Sequence, residues 1–245
     1  MPPIVSIITP VYNAESFILR TLDSVLSQSF ADWELLIVDD VSQDKTLEQI
    51  STITDTRIKV FILKTNSGPG VARNTAIEKA NGRYIAFLDG DDIWHPEKLE
   101  RQLAFMQANE YAFTYHWHQK VDDELNPIRI FKPPLKLTYR KALRYNPLHT
   151  SSVIYDAQKL GKVYTPKIRK RQDYGLWLRL LRKTNGYLLT GIFSYYVQRD
   201  GSVSSKKLNL LRYNWQLYRE CEDMGILSSA YCLSWDIASK ILKIK

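Results

Sequence analysis

Residues 4–40, IVSIITPVYNAESFILRTLDSVLSQSFADWELLIVDD, set two apolar runs on either side of an amphipathic stretch. IVSIIT (4–9) and ELLIVDD (34–40) are rich enough in aliphatic residues to be strands buried on both faces. Between them, Asn13 is placed to cap a helix that shows Ile18, Leu22 and Val25 on one face. The pattern recurs in RIKVFIL (57–63) and RYIAFLD (83–89), joined by helical stretches from Asp44 and from Gly70. Strand–helix–strand repetition of this kind predicts an α/β fold whose mostly parallel sheet is covered by helices on both faces. Ligands on such sheets sit beyond the carboxyl ends of the strands, where the strand order reverses.

Further along, Pro96 suits the first turn of a helix running to about Asn109. Residues 111–165 read as a mixed region of short strands with a basic, Pro-rich loop, FKPPLKLTYRK (131–141). A helix is expected from near Arg171, burying Leu176, Leu180 and Leu181. After IFSYYVQ (192–198), two amphipathic helices fill 207–243. For 245 residues this amounts to one domain in two halves, 1–110 and 111–205, with a helical extension over 206–245.

Charge is distributed unevenly. Residues 1–124 hold 11 Lys and Arg against 19 Asp and Glu, whereas residues 125–245 hold 23 against 7. The second half therefore calls for an anionic partner such as a membrane surface or a phosphorylated substrate, against the plainer alternative of a solvated basic face. Nucleic acid fits poorly, because no zinc spacing or RNA-binding signature is present and the acidic half would repel a phosphate backbone. The two cysteines, Cys221 and Cys232, match no metal or redox spacing and read as free thiols in a reducing cytosol. The opening residues lack a basic, apolar leader, and no window approaches the roughly 20 apolar residues that span a bilayer.

Both acidic clusters fall at expected strand ends: Asp39-Asp40 after the second strand, and Asp89-Gly90-Asp91-Asp92 after the fourth. Carboxylates at alternating positions about a glycine can surround a hard cation, and oxygen-only ligands suit Mg²⁺ or Mn²⁺. A calcium loop is excluded, since Trp94 occupies the position that needs Gly and Ile93 a ligand position. Taken alone, such a D-x-D spacing also fits a solvated turn. A dehydrogenase would need a Gly-rich turn after the first strand, where TPVYNAES has no Gly, and no phosphate-loop GxxxxGK occurs. A sugar nucleotidyltransferase shares the metal logic but usually opens with a Gly-rich nucleotide loop.

In company, the motifs say more. TPVYN (9–13), VDDVSQDKT (38–46), GPGVARN (68–74), LDGDD (88–92) and RQDYGLWLRL (171–180) follow one another as in the family 2 glycosyltransferases, which this sequence resembles. The likeness is nearest to bacterial enzymes that extend surface polysaccharides on lipid-linked acceptors. The resemblance implies a GT-A fold and an inverting transfer from a nucleotide-sugar donor, a UDP-sugar, with Mg²⁺ or Mn²⁺. By the same resemblance, Thr9, Pro10 and Tyr12 line the nucleotide pocket, and Asp39 or Asp40 meets the base. Arg73 orients nucleotide and carboxylates, Asp89 faces ribose and metal, Asp91 ligates the cation, and Asp173 is the catalytic base. Val41 stands where the family often has Gly, Gly90 where Ser is common, and Gln172 where Glu often precedes the base. From the residues alone, Asp173 reads rather as the N-cap of its helix, and the resemblance turns that reading to the base.

Arg199 and Lys206 lie in a Gly/Ser-rich stretch, RDGSVSSK, that could fold over a diphosphate or be an ordinary loop. His116 and His118 share a strand face without a third ligand and read as aromatic packing, while His149 in NPLHTSS is a candidate for the acceptor cleft. A polyprenyl-diphosphate-linked acceptor at the cytoplasmic membrane face would meet the basic half, with Trp215, Tyr218 and Trp235 at the interface or, alternatively, packing the last helices onto the core.

Overall fold

The computed structural model describes residues 2–198 and 207–241, with side chains over 2–198 and 210–239. The described residues form ten strands: β1 (Val5–Val11), β2 (Trp33–Asp39), β3 (Ile58–Ile62), β4 (Tyr84–Phe87), β5 (Asp92–Trp94), β6 (Phe113–Val121), β7 (Pro127–Phe131), β8 (Lys136–Leu137), β9 (Ile154–Asp156) and β10 (Gly186–Val197). They join one sheet in the order β3-β2-β1-β4-β9-β6-β10-β5, with β7 on β6 and β8 on β10. The first four strands are parallel, as the alternating pattern requires. β9 then enters antiparallel between β4 and β6, which the sequence pattern did not indicate.

Strand parity sorts the core. Val5, Ile7, Leu35, Ile37 and Ala86 point to one face, where they meet Ile18, Leu22 and Val25 of α1 (Ile18–Leu26). Ile8, Leu36, Val38, Ile85 and Phe87 point to the other face. There they pack on Ala72, Ala76 and Ile77 of the helix over 69–79 and on Trp177, Leu178 and Leu180 of the helix over 172–183. Alternation along a strand makes each apolar run serve both layers, and each fully buried Leu or Ile contributes about 1.5–3 kcal/mol.

Four further helices complete the first half and its return: α2 (Thr46–Ser51), α3 (Pro69–Lys79), α4 (Lys98–Ala108) and α5 (Tyr139–Ala142). After them come α6 (Ala157–Leu160), α7 (Gln172–Lys183), α8 (Lys207–Gln216) and α9 (Ile226–Ile241). Leu176, Leu180 and Leu181 of α7 are buried, as expected.

Two local expectations are corrected, and one alternative is settled. Asn13 does not cap α1, whose N-cap is Phe17; with φ 48°, Asn13 instead accepts the Gln43 amide at its side-chain oxygen, 2.8 Å away. Its short amide bonds a neighbouring loop rather than the helix. Pro96 precedes α4 by two residues, and its carbonyl accepts the Ser29 amide. Tyr218 is fully buried, its hydroxyl donating to the Leu143 carbonyl at 2.8 Å, so it packs the helical extension onto the core and faces no interface.

Candidate functional site

Because β2 and β3 lie on one side of β1 and β4 on the other, the strand order reverses at the β1/β4 boundary. The carboxyl ends of these strands open into a cleft of about 1060 Å³. Its charged lining residues are Asp40, Asp89, Asp91 and Asp173 on the acidic side of the balance and Arg73, Arg169, Lys170 and Arg171 on the basic side. Pro10 and Tyr12 also line it. The described part of the cleft is thus formally neutral, with room both for a cation among its acids and for an anion among its bases.

Loop bonds build the nucleotide-side wall. Asp40 accepts the amides of Ser67 at 2.6 Å and Gly68 at 2.7 Å, holding the start of α3 against the end of β2. Gly68 has φ +88°, a conformation that a side chain would strain. Asp39 is fully buried beneath the lining and accepts the Ser42 amide at 2.9 Å and its hydroxyl at 2.5 Å. Thr9 is likewise fully buried, behind Pro10, and its hydroxyl has no partner among the described residues. Of the pair Asp39 and Asp40, only Asp40 reaches the cleft. Val41, next in the loop, is held at φ 67°, a strained conformation for a β-branched residue and one that Gly would adopt freely.

The acidic turn after β4 carries the centre of the site. Arg73, from the first turns of α3, is buried and donates from Nη2 to Asp89 Oδ1 at 2.5 Å. Burial opposes its charge, but the carboxylates of Asp89, Asp173 and Asp92 outweigh burial and hold its pKa above the usual value. The Asp89 amide donates to Ser151 Oγ at 3.1 Å, and Ser151 in turn donates a very short bond to Asp92. Asp92 is almost wholly buried, and burial together with the neighbouring Asp89 charge pushes its pKa well up. Thr21 ties the turn down from below, its hydroxyl bonding the carbonyls of Gly90 at 3.1 Å and Asp92 at 2.9 Å. Gly90 fits closely: a Cβ there would meet Val11 Cγ1 at 2.9 Å.

Asp173 enters from the other half of the chain, in the first turn of α7. The capping position is Arg171, which makes no side-chain capping bond, so Asp173 is not the helix cap. The positive end of the helix favours a carboxylate there. Gln172 packs on Gly70, where a Cβ would meet its Cγ at 2.7 Å, and donates to the Arg169 carbonyl at 3.1 Å. Arg171 has φ 67°, a strained backbone of the kind that clusters at functional sites.

Asp89 and Asp91 are the paired carboxylates of the acidic turn, and both face the cleft. Among the described residues no group of three or more His, Cys, Asp or Glu assembles to hold a metal by itself. Two hard oxygen donors fit Mg²⁺ or Mn²⁺, which keep waters and take phosphate oxygens for their remaining positions.

His149 is not among the cleft-lining residues. It sits against Asp92, Nε2 to Oδ2 at 3.5 Å, and stacks on His118 with ring centroids 4.6 Å apart. His118 stacks in turn on Phe131 at 4.7 Å, and burial with the adjacent His149 and His116 pushes its pKa down to about 2. His116 and His118 are aromatic packing, as expected. Arg199 and Lys206 lie outside the described residues. Sequence reasoning missed Ser151 and the basic run Arg169–Arg171, and gave Asp92 no role of its own within the acidic cluster. Only the run left a signal, in the twelve basic side chains between Leu125 and Gln172.

The sequence model described as Glycosyl transferase family 2 matches residues 6–162. A putative teichuronic acid biosynthesis glycosyltransferase, TuaG of Bacillus subtilis (strain 168), is 40% identical over 235 residues, covering 94% of this chain and 93% of its own. The UDP-Glc:alpha-D-GlcNAc-diphosphoundecaprenol beta-1,3-glucosyltransferase WfgD of Escherichia coli is 36% identical over 234 residues, covering 95% and 92%. Among solved structures, S. aureus TarS 1-349 in complex with UDP-GlcNAc superposes with a TM-score of 0.73 at 24% identity, covering 95% of this chain and 70% of that one. This last likeness establishes the fold.

Proposed function

The chain belongs to glycosyl transferase family 2, with the GT-A fold, and we propose that it moves a sugar from a UDP-sugar to a hydroxyl of a lipid-linked saccharide, with inversion, in cell-surface polysaccharide biosynthesis. The observation that carries this reading is the convergence of Asp173, from the second half of the chain, on the cleft that holds Asp89, Asp91 and Arg73 from the first. The donor and the diphosphoundecaprenol-linked acceptor named for the E. coli relative, and the teichuronic acid pathway named for the B. subtilis one, support the substrate classes.

In this reading Pro10, Tyr12 and Asp40 receive the nucleoside, with Thr9 and Asp39 shaping the wall behind them. Asp91, with Asp89, holds a Mg²⁺ or Mn²⁺ ion, which when bound supplies positive charge to the diphosphate. Arg73 holds the Asp89 carboxylate in place through its hydrogen bond. Asp173 accepts the proton of the acceptor hydroxyl as its oxygen bonds to the anomeric carbon and the bond from that carbon to the diphosphate oxygen breaks. A carboxylate so placed contributes about 10²–10⁴-fold. Single displacement inverts the anomeric centre. The bases Arg169, Lys170 and Arg171 offset the charge of phosphates entering the same cleft.

The test screens UDP-sugars with Mn²⁺ for nucleotide release, using wild type, Asp173→Asn and Asp91→Ala. Asp173→Asn is expected to bind UDP as wild type does and to lose transfer by at least about 10²-fold. Asp91→Ala is expected to lose metal-dependent turnover. Near-normal rates in Asp173→Asn would overturn the assignment of the base.

A further inference from the structure

Helix α9 is turned against its own composition. The side chains it buries most deeply are Ser229, Cys232, Asp236 and Ser239, none more than 5% exposed. Asp236 is held by Asn214 of α8, whose side-chain amide donates to it at 2.9 Å. Meanwhile Ile226, Leu227, Tyr231, Trp235 and Ile237 are 37–86% exposed. At 100° per residue, these five fall within one half of the helix circumference, and the positions between them are Ala230, Ser234 and Ala238. That half carries no charged residue. Single exposed apolar residues need no explanation, but a whole helix face of them marks an interaction surface.

A basic rim borders the face. Arg140, Lys141 and Arg144 are exposed on and just after α5, and the Arg144 guanidinium lies 5.3 Å from the Trp235 ring centroid. The sequence beyond Asp236 adds three lysines and no acid. We propose that this face docks on an anionic lipid bilayer, α9 lying in the plane of the interface with its apolar half at the acyl boundary and the rim at the headgroups. Charge selects this occupant over a second copy of the chain. A two-fold contact through the face would bring the two rims of Arg140, Lys141 and Arg144 together across a helix half that carries no charge. No helix among the described residues is long and apolar enough to cross a membrane, so the attachment is superficial.

Docking has a consequence for the cleft. Leu210 and Tyr213 of α8 line it, and α8 is tied to α9 through Asn214 and Asp236. A substrate diphosphate carried on a lipid would reach the cleft from the surface on which α9 rests; this clause alone depends on the acceptor proposed above.

The test is co-sedimentation of the full chain with phosphatidylcholine vesicles, with and without phosphatidylglycerol. Wild type is expected to sediment only with the anionic vesicles, and less at high salt. Leu227→Glu/Tyr231→Glu, at two solvent-exposed positions, is expected to reduce partitioning at least about tenfold, since charges on the apolar half oppose both terms of the binding. Ile62→Glu, at an exposed apolar site on edge strand β3, is expected to bind as wild type does. Thermal melts and nucleotide release without vesicles, equal across the variants, separate this result from any failure of the catalytic reading. No anionic-vesicle binding by wild type, binding unaffected in the double variant, or a wild-type dimer that the double variant converts to monomer would each overturn the proposal.

Discussion

Replacing Arg73 with Met tests the electrostatic arrangement of the site directly. The Arg73 side chain is 8% exposed and that of Asp89 27%, and the guanidinium answers three carboxylates at once. Without it, Asp89 and the buried Asp92 face each other as like charges with no cation between. Removing one partner of a buried pair costs about 3–5 kcal/mol, and since Asp89 keeps part of its surface in water the lower end, about 3 kcal/mol, is expected. For a chain of this length that corresponds to a Tm lower by about 6–12 °C. The effect depends on pH with a definite sign. Arg73 is one of the groups that lower the Asp92 pKa, so its loss pushes that pKa, already raised by burial and by Asp89, further up. The folded state then binds protons that the unfolded chain does not, so the deficit is full near neutral pH and shrinks toward about pH 5. Urea titrations of wild type, Arg73→Met, Asp89→Asn and the double variant at both pH values measure it. In the Arg73→Met background, Asp89→Asn is expected to recover about 1–2 kcal/mol, because it removes the orphaned charge. An Arg73→Met protein as stable as wild type near neutral pH, or a coupling energy of zero, would refute the reasoning.

Val41→Gly is expected to stabilise the fold by about 1 kcal/mol, since relief of the strain at φ 67° exceeds the extra chain entropy that Gly loses; a lower urea midpoint would contradict it. Burial holds His116, His118 and His149 below the usual histidine pKa, His118 at about 2. As pH falls below about 6.5 the unfolded chain takes up protons that these folded-state rings refuse, so stability drops. His118 alone accounts for about 2 kcal/mol at about pH 5. Asp92, with its raised pKa, works in the opposite direction and offsets part of the loss. Denaturation between neutral pH and about pH 5 should show the decline, and His118→Phe should flatten it; a wild-type stability independent of pH would count against the buried neutral histidines.

Much of the fold was legible because it is written in local periodicity. The apolar runs at 4–9, 34–40, 57–63 and 83–89 became β1 to β4, and the positions chosen on α1 and α7 proved buried. The acidic clusters were found because short carboxylate runs after strands are visible in one dimension. What stayed hidden depends on partners distant in the chain. Ser151 reaches Asp92 across 59 residues, and nothing in TSS distinguishes that serine from its neighbours. Asp39 and Asp40 are adjacent and chemically identical, yet one is sealed beneath its loop and the other lines the cleft. Tyr218 and Trp235 belong to the same aromatic extension, and only packing against Leu143 and Tyr174 makes one of them core.

The alternation of strands and helices, and with it a sheet whose strand ends carry carboxylates, is already present in the order of the residues. Backbone hydrogen bonding and apolar burial act over a few residues, and their periods survive in one dimension. Which carboxylates meet which cations, the antiparallel entry of β9 and the outward apolar half of α9 are settled only when distant segments pack together. Those outcomes follow from contacts across many tens of residues, where an amphipathic stripe states that a face must be covered but not by what.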